Sequence, residues 1–129
     1  MEKSIVLEYK SLSLAYMGDA VIELLAREKV VGDGSVHPSK LNEAAKKYVM
    51  AVNQSAAVEK ILPLLTEEEL SVYRRGRNAK TGGVPKSASP SEYHRATGME
   101  ALFGFLYLTG ETERLKKLFD TAFEEKESE

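Results

Sequence analysis

Apolar residues in the first third of the chain recur with the period of a helix. Between residues 12 and 30, Leu14, Met17, Val21, Leu24 and Leu25 follow at spacings of three and four, which puts them on one face of a 3.6-residue turn. Gly32 and Gly34 end that helix, residues 35–38 link it to the next, and Pro38 suits a first helical turn. Residues 40–52 and 53–65 read as helical with a bend between them, Pro63 falling near the end of the second. Thr66 with Glu69 three places on is a capping box, and its helix should run to about Asn78. Residues 80–90 form a loop punctuated by glycine and proline. Ser91 then opens a long helix to Leu108, Gly110 ends it, and Thr112 begins a last helix carrying Leu115, Leu118, Phe119 and Phe123. No alternating period is convincing, so the expected class is all-α. One domain should occupy 1–129, with its core over 11–123 and a charged tail frayed at 124–129.

Composition narrows the chemistry. The chain has no cysteine, so a metal would be held by carboxylates, histidine or backbone oxygens, which favours hard ions. The N-terminus lacks the apolar stretch of a signal peptide. The longest apolar run, 101–108, is far short of the ~20 residues a membrane helix needs, so a soluble cytoplasmic protein is expected. The net charge of −2 does not itself point to nucleic acid, but its distribution does. Residues 73–95 hold Arg74, Arg75, Arg77, Lys80, Lys86 and Arg95 against Glu92 alone, a segment of +5 that leaves −7 for the rest. Such segregation marks an anion-binding surface on an acidic body, although a solvated basic loop would show the same pattern.

Two acids stand in unusual company. Asp19 lies among Ala15, Gly18, Ala20 and Val21 beside the apolar stripe, with Glu23 four residues on. A divalent cation would relieve two acids at that spacing; an arginine partner for Asp19 and a solvated Glu23–Arg27 pair would do so equally. Glu100 lies between Gly98 and Gly104 in an otherwise apolar helix. Each glycine costs about 1 kcal/mol against alanine there, a cost that usually admits another backbone. If that backbone is the Gly18 region, two carboxylates meet where two helices cross, the setting of a metal site between facing helices. An inter-helix salt bridge is the alternative.

These segments together resemble a known family. Leu14-Ala15-Tyr16-Met17-Gly18-Asp19-Ala20-Val21 is similar to the signature helix of the ribonuclease III catalytic domain. The stretch 99–108, which opens Met99-Glu100-Ala101-Leu102-Phe103-Gly104, resembles that family's second acidic helix, and 74–82 resembles the basic segment of its Mini-ribonuclease III subfamily. The resemblance runs from about Ser11 to Phe123, with the three segments in order. It implies the helical ribonuclease III endonuclease fold and Mg²⁺-dependent cleavage of double-stranded RNA, with Mn²⁺ able to substitute. Asp19 and Glu100 would be the catalytic, metal-binding carboxylates, and products would carry 5′-phosphates. The larger enzymes have two further acids, at the positions of Ala15 and Thr97 here; Thr97, and from the local reading Glu23, remain accessory candidates.

Arg74, Arg75, Arg77, Asn78, Lys80, Thr81 and Lys86 are the expected RNA-binding residues. Recognition should follow duplex shape and charge, because A-form RNA hides its base edges. The resemblance also implies a homodimer with the signature helix at its interface, supported by apolar Leu12, Leu14, Tyr16 and Met17, and a substrate in 23S ribosomal RNA precursors. No membrane or DNA partner is expected. The alternatives are a non-catalytic ribonuclease III-like RNA-binding domain in ribosome assembly and a helical adaptor for an acidic partner. His37 and His94 have no second ligand at metal-binding spacing and read as exposed polar residues, His94 beside Arg95 being placed to touch a phosphate.

Overall fold

The computed structural model describes residues 1–34, 36–84, 86 and 88–124. Along them run helices α1 (Lys3–Val6), α2 (Ser11–Asp33), α3 (Leu41–Val49), α4 (Ala51–Ile61), α5 (Glu67–Arg77), α6 (Pro90–Leu108) and α7 (Thr112–Ala122), with single 3₁₀ turns at Pro38–Lys40 and Leu62–Leu64. No strand occurs among the described residues, as the period predicts. Beyond Glu124 the expected frayed tail lies outside them.

α6 is the axis of the fold. Ala101 to Leu106 are all buried, and a helix apolar on every side must be enclosed. α2, α5, α4 and α7 all pack on it. Phe103 is fully buried and meets Phe119 of α7 edge-on, with ring centroids 6.4 Å apart; burying such a side chain contributes about 1.5–3 kcal/mol. α6 begins one residue before its expected start. Ser89 and Glu92 form a second reciprocal capping box, and Pro90 takes the first helical position.

Small residues set how closely the helices cross. A Cβ on Gly18 would fall on the backbone carbonyl of Glu100, and one on Gly104 would fall on that of Leu14. α2 therefore lies on α6 backbone to backbone. On α6's other flank, a Cβ on Gly76 would stand 2.6 Å from the Ala101 Cβ, and one on Gly98 would stand 2.8 Å from the Tyr73 ring.

Local chemistry explains the remaining boundaries. The bend expected between residues 40 and 65 falls at Met50, whose extended backbone separates α3 from α4. The Gln54 side chain donates to the carbonyls of Tyr48 and Val49 at 3.2 and 3.3 Å, satisfying the end of α3. Gly34 and Gly110 end α2 and α6 at φ of 72° and 78°, in the left-handed region. At the start of α5, Glu69 is clasped by Arg114 of α7 through two hydrogen bonds of 2.8 and 2.9 Å. Burial alone would raise the Glu69 carboxyl, but Arg114 and the Thr66 backbone N–H outweigh it and hold it below the usual carboxylate range. The short α1 was not apparent in the sequence; a four-residue helix shows no periodicity to read.

Gly104→Ala should lower stability by about 3 kcal/mol or more, the upper end of what overpacking costs. Gly82→Ala, with nothing near its added methyl, should stay within about 0.5 kcal/mol. Chemical denaturation of both variants checks the contrast.

Candidate active site

The backbone contact between Gly18 and Glu100 brings the two anomalous acids together. Asp19 follows Gly18 on α2 and is exposed; Glu100 is partly buried on α6. Among the described residues no arginine, lysine or histidine forms a salt bridge with either. Burial, the facing Asp19 carboxylate and the hydrogen bond shared with it push the Glu100 carboxyl up to about 8. The arginine-paired alternative for these acids is thus not what the fold builds. Two oxygen-donor groups that repel one another, open on the Asp19 side, suit a hard divalent cation. No third histidine or acid joins them among the described residues, so water and substrate oxygens would complete the coordination of such an ion.

The accessory candidates stay out of this pair. Glu23 turns to solvent and accepts from Arg27 at 2.7 Å. Thr97 is buried and its hydroxyl donates to the Tyr93 carbonyl of its own helix at 2.9 Å. Ala15 is buried core.

The basic segment divides. Arg74, Arg75, Asn78 and Lys80 line one open cleft beside the start of α2. Arg77 instead lies over the Tyr73 ring at 5.6 Å and donates to Asn78 Oδ1 at 3.2 Å. Arg95 is bound to Glu59 of α4 at 2.8 Å. Thr81 is partly buried and Lys86 exposed, and neither lines the cleft. Lys10 and Ser11 do line it. The sequence reading missed them because they are remote from the basic segment and adjoin it only through packing. His37 caps the 3₁₀ turn at Pro38–Lys40, accepting from the Ser39 N–H at 3.2 Å. His94 is less exposed than expected, its Nδ1 buried without a protein partner among the described residues.

The Ribonuclease III domain pattern matches residues 12–111, which contain both acids and the basic segment. The chain belongs to the ribonuclease III family. Its relatives within that family include the Mini-ribonuclease 3 of Symbiobacterium thermophilum, 49% identical over 111 residues that cover 86% of this chain and 85% of that one. The Mini-ribonuclease 3 of Brevibacillus brevis is 43% identical over 112 residues, 87% and 84% of the respective chains. The crystal structure of a Fusobacterium nucleatum protein shares the fold with a TM-score of 0.79 at 35% identity, over 88% of this chain and 90% of that one. The resemblance to Mini-ribonuclease III read from the motifs is therefore correct. In this ribonuclease III chain Ala15 and Thr97 are both buried, and the Thr97 hydroxyl is spent on the Tyr93 carbonyl of its own helix.

The raised Glu100 carboxyl has a consequence for the metal-free protein. The folded state holds this proton more tightly than the unfolded chain, so the stability it contributes is complete below about 4.5 and is lost as pH rises through about 8. The melting temperature in chelator should fall across that window, and Glu100→Gln should remove that part of the fall. Thermal scans of both proteins at a series of pH values check this; identical slopes would dissociate Glu100 from the effect.

Proposed function

We propose that this chain is an endoribonuclease that hydrolyses phosphodiester bonds of double-stranded RNA with Mg²⁺, or Mn²⁺ in its place, held by Asp19 and Glu100. The observation that carries the reading is the pair itself: two unpaired carboxylates from different helices, brought face to face by a glycine crossing. Membership of the ribonuclease III family supports the reaction class. Asp19 and Glu100 would hold the ion, which when bound would activate a water and offset charge on the phosphoryl oxygens. The chain's own residues do the rest. Exposed Asp19 meets the substrate side, Glu100 forms the floor, and α6 holds both through its contact with α2. Arg74, Arg75 and Lys80 take phosphates, with Asn78 as a neutral donor. Arg77, held on Tyr73, lends charge from behind, and Thr81 and Lys86 meet RNA from the loop. Products carry 5′-phosphate and 3′-hydroxyl ends, and the natural substrate is the duplex at the ends of 23S ribosomal RNA precursor in the cytoplasm.

The acting form is a homodimer. Leu12, Tyr16 and Leu24 are 42%, 81% and 63% exposed at spacings of four and eight along α2, with exposed Ala20 between the last two. Leu14, expected on that surface, is instead in the core at 1%, because the α6-facing side of α2 claims it. An exposed apolar stripe along one helix is the form a self-association surface takes. It sets two carboxylate pairs on one duplex, for cuts in opposite strands.

Asp19→Asn should abolish magnesium-dependent cleavage of a labelled RNA duplex while leaving duplex binding within about twofold of wild type, a difference under about 0.5 kcal/mol; retained turnover would sink the assignment. Tyr16→Asp should shift the protein to monomer in sedimentation velocity at micromolar concentration, and an unchanged dimer would move the interface elsewhere.

A further inference from the structure

The cleft of about 680 Å³ beside the start of α2 holds four cations, Lys10, Arg74, Arg75 and Lys80, against one acid, Glu67. None of the four is in an ion pair among the described residues. Arg75 donates to the Leu7 carbonyl at 3.3 Å, which ties it to the segment leading into α2. The same wall carries further donors. Lys10 is the N-cap of α2 and its side chain makes no cap hydrogen bond. The Lys10 carbonyl accepts from Ser13 and Leu14, so the N–H groups of Ser11 and Leu12 are left without a partner inside the helix. Both residues line the cleft. Cations gathered from two distant parts of the chain, with free amides between them, make a concavity suited to a phosphate.

We propose that this cleft is a phosphate subsite for the RNA strand flanking the scissile bond, with Lys10 and the first-turn amides of α2 as part of it. The proposal rests on the endoribonuclease reading above and adds to it residues outside the basic segment. Its role is positioning. Leu12, which lines the cleft, and Asp19 lie on one uninterrupted helix, seven residues or about two turns apart, so they share a face at roughly 10 Å along the axis. A phosphate seated at the helix start therefore fixes where the same strand passes the carboxylates. Lys10 acts on register and affinity, not on the reacting atoms.

The test is binding and cleavage of a blunt RNA duplex over a range of salt, the binding measured in chelator. Lys10→Ala should weaken binding severalfold, reduce the slope of log affinity against log salt by about 1, and raise KM with kcat nearly unchanged. Lys10→Arg should restore all three. Ser11→Pro removes one amide donor at a first helical position that proline tolerates, after a residue already extended at ψ 142°. It should weaken binding without lowering the melting temperature. Lys116→Ala, at an exposed position of α7, should change nothing. A Lys10→Ala protein with wild-type slope and KM overturns the subsite, and unchanged binding by Ser11→Pro removes the amides from it. Wild type that neither binds nor cuts the duplex overturns the endoribonuclease reading as well, whereas normal wild-type activity with indifferent Lys10 variants overturns the subsite alone.

Discussion

Everything placed near the two acids depends on one steric fact: α2 and α6 touch through their backbones. Gly18 and Gly104 each give up a side chain so that a carbonyl of the other helix can occupy its place. Helices at ordinary separation would keep Asp19 and Glu100 apart and let each find a cation or water. At this separation the two carboxyls face each other, and among the described residues no basic side chain pairs with either. Packing energy from the buried stretch of α6, Ala101 to Leu106, holds the helices together, and the electrostatic cost is concentrated at one spot.

That cost defines the site. The Glu100 carboxyl rises to about 8 because burial and Asp19 both disfavour its charge. Several other charged side chains packed between helices are neutralised by a partner. Glu69 receives Arg114, Arg95 receives Glu59, and Lys29 receives Asp120. Asp19 and Glu100 have no such cation among the described residues, and acids held against one another in this way concentrate where a protein binds something.

Much of this arrangement was legible in the residues. The helical period, the Thr66 capping box and the terminal glycines reflect local rules, and they gave the element order with errors of a few residues at the ends. The Ser89 box is hard to see in the sequence because Ser89 and Pro90 resemble loop residues when read singly. The juxtaposition of Asp19 and Glu100 was inferable because glycine inside a helix is costly and so points to a neighbouring backbone. What local rules cannot give is the fate of individual side chains. Arg77 and Arg74 look equivalent in sequence, yet one lies on Tyr73 and the other lines a cleft. Leu14 and Leu12 are two residues apart, and only tertiary packing decides which is core. The Lys10 contribution to the cleft is non-local by nature, since α5 must first dock beside α2.

α2 carries Lys10 at its start, Asp19 in its middle and the exposed Leu12–Tyr16–Leu24 stripe between and beyond them. It is thus a single ruler on which three separate functions are marked. A rigid helix keeps those marks in fixed rotational phase, about 100° per residue. Substitutions at any mark can vary independently, but an insertion or deletion between them cannot. One residue added between Ser13 and Gly18 would swing the helix start about a quarter turn relative to the carboxylate. The length of this segment should therefore be far less tolerant of change than its composition.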